Sequence, residues 1–153
     1  MKYFASGLLF DNDGVLVDSH EAARIGWEQW SKEFAPDFFW DLPENNGVRA
    51  EDKVRQLVAA ELFETANNRI NELEQQTAHL TAPLPGAVEL LTSMRAEIWT
   101  VCTSANANLG RARLAAAGLP IPAQLVTGDD VQRGKPFPDP YLLGAERLGF
   151  DPS

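Results

Sequence analysis

Apolar residues run together without alternation in FASGLLF, residues 4–10. A short strand buried on both faces reads this way, and the run predicts one. From residue 18 the period changes. Asp18 and Glu21 have the spacing of an Asp-type capping box, which predicts a helix start. Ala23, Trp27, Trp30 and Phe34 then share one helical face. APDFFWDLPENNG, residues 35–47, reads as a loop punctuated by Pro36, Pro43 and Gly47. Its Phe38, Phe39 and Trp40 are expected to pack against the helices. A second helix aligns Ala50, Val54, Leu57, Val58 and Leu62, and a third aligns Ala66, Ile70, Leu73 and Leu80. Three successive helices with no strand between them predict a small helical module.

Strand and helix alternate after residue 82. Pro83 and Pro85 close a linker, Gly86 permits a turn, and a helix begins at Ala87. EIWTVCTS reads as a strand, and ANLGRARLAAAG as a helix closed by Gly118. AQLVTG reads as a further strand, and DPYLLGAERLG as a helix closed by Gly149. Such alternation implies parallel strands joined by crossover helices. The expected class is therefore α/β: a doubly wound parallel sheet with a helical cap inserted after its first strand. Residues 1–17 and 83–153 form the core, and residues 18–82 form the cap. The chain carries no internal repeats and no low-complexity segments. Ligands of open parallel sheets bind beyond the carboxyl ends of the strands. Three polar clusters fall at three such ends: Asp11 with Asp13, Thr103 with Ser104, and TGDDVQRGKP with Lys135.

Composition narrows the ligand. The 153 residues carry a net charge of −9, which argues against general binding to nucleic acid or to an anionic membrane. An anionic substrate would need positive charge supplied locally, by a few side chains or a metal ion. The single cysteine, Cys102, excludes an intrachain disulfide and a Cys-rich zinc site. It lies in an apolar run and reads as a buried, inert thiol. No apolar stretch approaches the length of a bilayer span, and the N-terminus lacks the pattern of a signal peptide, so the cytoplasm is the expected location.

Two carboxylates two residues apart repel each other and are costly to desolvate. A hard divalent cation such as Mg²⁺, bound by oxygens, would relieve that repulsion. One carboxylate can then attack an electrophile while the other moves protons. Aspartate is a competent phosphoryl acceptor. A hydroxyl at a neighbouring strand end and a lysine can hold the phosphoryl oxygens, which carry the charge of the transition state. An isolated D-x-D could equally be a polar turn with a helix cap. Here it ends a buried strand and faces two more polar rims, which favours function.

FDNDGVLVDS, WTVCTS and VQRGKPFPDPYLLGAERLG, in this order, resemble the first three motifs of the haloacid dehalogenase-like hydrolases. The helical insertion resembles the cap that such enzymes carry between the first two motifs. The likeness covers essentially the whole chain and leans towards bacterial sugar phosphatases, including those acting on hexitol and deoxyhexose phosphates. It implies Asp11 as nucleophile and Asp13 as the acid that protonates the leaving alcohol and then activates water. It further implies that the Asp11 carboxylate and the Asp13 backbone carbonyl bind Mg²⁺. Thr103, with Ser104 as the alternative alignment, and Lys135 would bind phosphate. Asn46 and Arg49, in the cap loop NNGVRAED, would select the leaving group. Dehalogenases lack an acid at the position of Asp13, because halide leaves without a proton, so this residue favours phosphate esters.

The family's fourth motif, an acidic pair after the next strand, is expected just beyond GFDPS, where the sequence stops. The chain therefore reads as C-terminally truncated, with the last core strands missing and the first strand left as an edge. The expected partner is a small phosphorylated sugar. A monomer is expected at full length, and an edge-strand dimer is possible for the short chain. Two alternatives stay open: a phosphohexomutase, or an inactive fragment that only binds phosphorylated ligands or a partner. Related mutases use a His in the first cap helix, slightly beyond His20, and position 23 here is Ala, which counts against mutase chemistry. His20 itself reads as an exposed residue at the helix start.

Overall fold

A computed structural model describes residues 5–40 and 45–151; Phe4 of the first apolar run and Pro43 of the cap loop lie outside them. The first strand, β1, is Leu8–Phe10, and β2 is Val17–Asp18. Three helices follow: α1 (His20–Phe34), α2 (Ala50–Leu57) and α3 (Phe63–Thr77). After β3 (Ala82–Pro83) come α4 (Ala87–Ser93), β4 (Trp99–Val101), α5 (Ala107–Ala116) and α6 (Asp139–Arg147). β1 and β4 pair in parallel, with Leu8 opposite Trp99 and Phe10 opposite Val101.

Side chains alternate across a strand, and β4 uses both of its faces. Trp99 and Val101 join Leu91 of α4 and Leu114 of α5 in one buried cluster. Thr100 and Cys102 point the other way, towards α6. There Gly144 leaves no room for a side chain: a Cβ would lie 2.7 Å from the Cys102 sulfur and 3.2 Å from Leu9. Helices thus cover both sheet faces, as the doubly wound reading requires. Cys102 is fully buried, and burial pushes its thiol up to about 11, so it is a packing residue.

The third expected strand, AQLVTG, is reduced to a single parallel bridge between Cys102 and Val126. Val126 donates to the Val101 carbonyl and accepts from the Thr103 amide, both at 2.9 Å. Thr127 then starts a capping box with Asp130 and turns the chain into a short 3₁₀ segment, which ends the ladder.

The cap has its own core of Trp27, Trp30, Val54, Ala66, Ile70 and Leu73. Trp30 stacks on Phe34, its indole N–H donates to the Ala66 carbonyl at 2.8 Å, and Trp27 stacks on Trp40. Phe38 joins this cluster, whereas Phe39 is exposed. Leu62 and Leu80 also depart from the expected stripes: each falls in a 3₁₀ turn beyond its helix and is exposed. The Asp18–Glu21 capping box does not form. The N-cap is Ser19, and Glu21 is drawn instead into a two-pronged pair with Arg24. β2 and β3 pair antiparallel, so the strands leading into and out of the helical segment run side by side. Among the described residues, no helix is long and apolar enough to cross a membrane.

Candidate active site

The chain turns sharply at the carboxyl end of β1. The Asn12 carbonyl accepts the amides of Val15, Leu16 and Val17 at 2.8–3.2 Å, and Gly14 supplies the left-handed residue at φ +79°. This tight turn sets Asp11 and Asp13 at the rim while Asn12 is fully buried. Asp11 Oδ1 accepts from the Asn12 amide at 2.7 Å and pairs with Lys135 Nζ at 2.5 Å. Lys135 arrives from the segment before α6, and its ammonium also lies 5.3 Å from the Tyr141 ring centre.

Asp13 is held from three sides. Ser19 Oγ donates to Oδ1 at 2.5 Å, and Arg113 Nη1 reaches the same oxygen at 3.0 Å. The Thr103 hydroxyl, buried two residues beyond β4, donates to Oδ2 at 3.3 Å. Thr103 Oγ1 in turn accepts the Ala105 amide at 3.1 Å. The expected rim therefore assembles: Asp11, Asp13, Thr103 and Lys135 converge from three chain segments. Ser104 turns away from it and donates to the Gly47 carbonyl of the cap loop at 2.7 Å.

Between cap and core lies a cavity of about 370 Å³, lined by Asp13, Asn46, Arg49, Asn67, Asn71, Asn106 and Arg113 among others. Asp11, Thr103 and Lys135 do not line it. Asp13 is thus shared between the rim and the cavity. Asn46 is exposed at the cavity mouth. Arg49 is 7% exposed and spends its fork on the cap–core seam. Its Nη1 donates to the Val131 carbonyl at 2.9 Å and its Nη2 to the Gln132 carbonyl at 3.0 Å, while Asp52 holds Nε at 2.7 Å. The bond to Asp52 raises the Arg49 pKa above the usual value, against the effect of burial.

Sequence reasoning missed Ser19, Glu74 and Arg113. The signal for the last two was a charge on an apolar stripe. Glu74 falls in register with Ala66, Ile70 and Leu73, and Arg113 with Leu109, Gly110 and Leu114.

The Asp11 carboxylate and the Asp13 backbone carbonyl offer oxygens, the hard donors that suit Mg²⁺, so they fit such an ion in kind. Among the described residues, no group of three or more His, Cys, Asp or Glu side chains is arranged to hold a metal.

The sequence model of the haloacid dehalogenase-like hydrolases matches residues 5–153. Hexitol phosphatase A of Escherichia coli K12 is 40% identical over 154 residues, covering 95% of this chain and 70% of its own. Glycerol-1-phosphate phosphohydrolase 2 of Saccharomyces cerevisiae is 30% identical over 148 residues, covering 93% of this chain and 59% of its own. The crystal structure of a hydrolase from Pseudomonas syringae superposes with a TM-score of 0.83 at 28% identity, covering 96% of this chain and 72% of its own.

Proposed function

Because the chain belongs to the haloacid dehalogenase-like hydrolase family, we propose that it hydrolyses phosphate monoesters of small sugars or sugar alcohols. The observation that carries this reading is the double membership of Asp13. It touches Thr103 at the rim and also lines the cavity under the cap. A phosphoryl group at the rim would put its leaving alcohol in that cavity. Similarity to a hexitol phosphatase and to a glycerol-1-phosphate phosphohydrolase supports a polyol there. So does the cavity's lining of Asn67, Asn71 and Asn106, whose amides both donate to and accept from hydroxyls.

Asp11 attacks phosphorus, and its new bond forms as the bond to the leaving oxygen breaks. Asp13 gives its proton to that oxygen, because an alkoxide leaves poorly without one. Asp13, now a carboxylate, takes a proton from water as the water oxygen attacks the aspartyl-phosphate. The Asp11–phosphorus bond breaks, releasing phosphate and restoring the carboxylate. Lys135 neutralises Asp11 and the phosphoryl oxygens, and Thr103 donates to phosphate. Mg²⁺ would be held by the Asp11 carboxylate and the Asp13 backbone carbonyl, and when bound it supplies positive charge against the crowded anions. Arg49 and Asn46 act on the leaving-group side, Arg49 by clasping the cap onto the core loop.

The test is a panel of hexitol, hexose, glycerol and nucleoside phosphates, scored on the natural full-length protein with Mg²⁺. Phosphate release fastest on a polyol or sugar phosphate is expected. Isomerised product without free phosphate, or binding without turnover, would overturn the reading.

A further inference from the structure

Arg113 is a buried cation that no step above uses. The side chains of Arg113 and Glu74 are 6% and 7% exposed. Nη2 of Arg113, on core helix α5, reaches Glu74 Oε1, on cap helix α3, at 3.0 Å. Its Nη1 reaches Asp13 Oδ1, also at 3.0 Å. The two helices are tied once more, where Asn106 Nδ2 donates to Asn71 Oδ1 at 3.0 Å. Burial disfavours the Arg113 charge, but Asp13 and Glu74 outweigh it and hold its pKa above the usual value. Burial pushes the Glu74 carboxyl up, although Arg113 draws it down. Stability is a weak reason for such an arrangement, since well-packed apolar residues often replace a buried ion pair without loss.

We propose that Glu74 and Arg113 are a positioning relay, in which the cap fixes Arg113 and Arg113 fixes the Asp13 carboxylate for proton transfer. The inference rests on the reading of Asp13 as proton donor. Arg113 and Ser19 both occupy Oδ1. Oδ2, contacted by the Thr103 hydroxyl, is left to carry the transferable proton. Without Arg113 the carboxyl can rotate, and its proton leaves the line of the departing oxygen. Because Glu74 belongs to the cap, the orientation of Asp13 depends on how the cap is seated.

The experiment follows single-turnover release of the leaving group on the natural full-length enzyme, with Mg²⁺ and two substrates. Sorbitol 6-phosphate needs its alkoxide protonated, whereas p-nitrophenyl phosphate does not. The double variant Arg113→Met with Glu74→Leu removes the relay and keeps the interior filled. Its release of sorbitol should slow about tenfold or more, and its release of nitrophenolate by less than about threefold. Glu74→Gln, which keeps the shape, should show the same split more weakly, and Arg113→Lys should restore part of the sorbitol rate. Equal losses on both substrates, or no loss on either, would overturn the relay. Asp13→Asn separates the two ideas. If it shows no split, the proton-donor reading falls and takes the relay with it. If it shows the split and the relay variants do not, the relay alone falls.

Discussion

At the carboxyl end of β1, the Asn12 amide and Lys135 both address Asp11 Oδ1. Uncatalysed hydrolysis of phosphate monoesters is among the slowest of biological reactions, so removing the proposed nucleophile should be costly. Asp11→Asn should lower turnover by several orders of magnitude with little change in melting temperature, read by phosphate release and a thermal melt on the same sample. Asp11, Asp13 and Thr103 were legible as candidates because parallel-sheet chemistry gathers at strand ends and each falls just beyond β1 or β4, whereas Lys135, in the segment before α6, was legible only from its RGKP stretch. Ser19, Glu74 and Arg113 were not. A charge on a helix's apolar stripe announces a buried partner, but the partner lies on another helix. Sequence spacing does not say that the stripes of α3 and α5 face each other.

The loop from Thr127 to Lys135 joins cap, core and site. Asp130 ties it down, accepting from the Thr127 amide at 2.8 Å and pairing with Arg147 at 2.6 Å. Burial works against the Asp130 carboxylate, but Arg147 and Thr127 outweigh it and hold its pKa below the usual 3.8. Its contribution to stability is therefore complete above that unfolded value and is lost as pH falls through the lower folded one. Asp130→Asn should cost about 1 kcal/mol at neutral pH, a modest figure because the pair is partly solvated. The difference from wild type should vanish in strong acid, as denaturant titrations across pH would reveal. Arg49 grips the same loop where glycine makes room: a Cβ on Gly134 would lie 2.7 Å from Arg49 Nε. Arg49→Ala should raise KM for a hexitol phosphate about tenfold, by loss of its buried charged hydrogen bonds, and affect a small generic ester less. An equal rise on both would move Arg49 from the leaving-group side to the phosphoryl side. Helix periodicity made the cap elements legible. AQLVTG misled because its apolar run looks like a strand, while the Thr127–Asp130 box that ends the ladder already begins inside it.

Two separate apolar clusters, one in the core and one in the cap, meet across a polar cavity. That division was legible as a change of hydrophobic period. The closeness of the fit was not, because it depends on Arg49, Ser104 and Asn106 reaching across the seam. In the proposed reaction this arrangement separates two tasks: the rim handles the phosphoryl group, and the cavity handles the alcohol. Asp13 stands at the boundary, and in the proposed reaction it serves both half-reactions. Its loss should therefore spare the first step for an ester with a good leaving group and stall the second, leaving phosphate on the enzyme. The most direct measurement mixes Asp13→Asn full-length enzyme with p-nitrophenyl phosphate and Mg²⁺, quenches in acid, and weighs the peptide that carries Asp11. The account predicts a burst of nitrophenolate approaching one per enzyme and a phosphoryl group on Asp11. Phosphate release with no burst and an unmodified Asp11 peptide would contradict it.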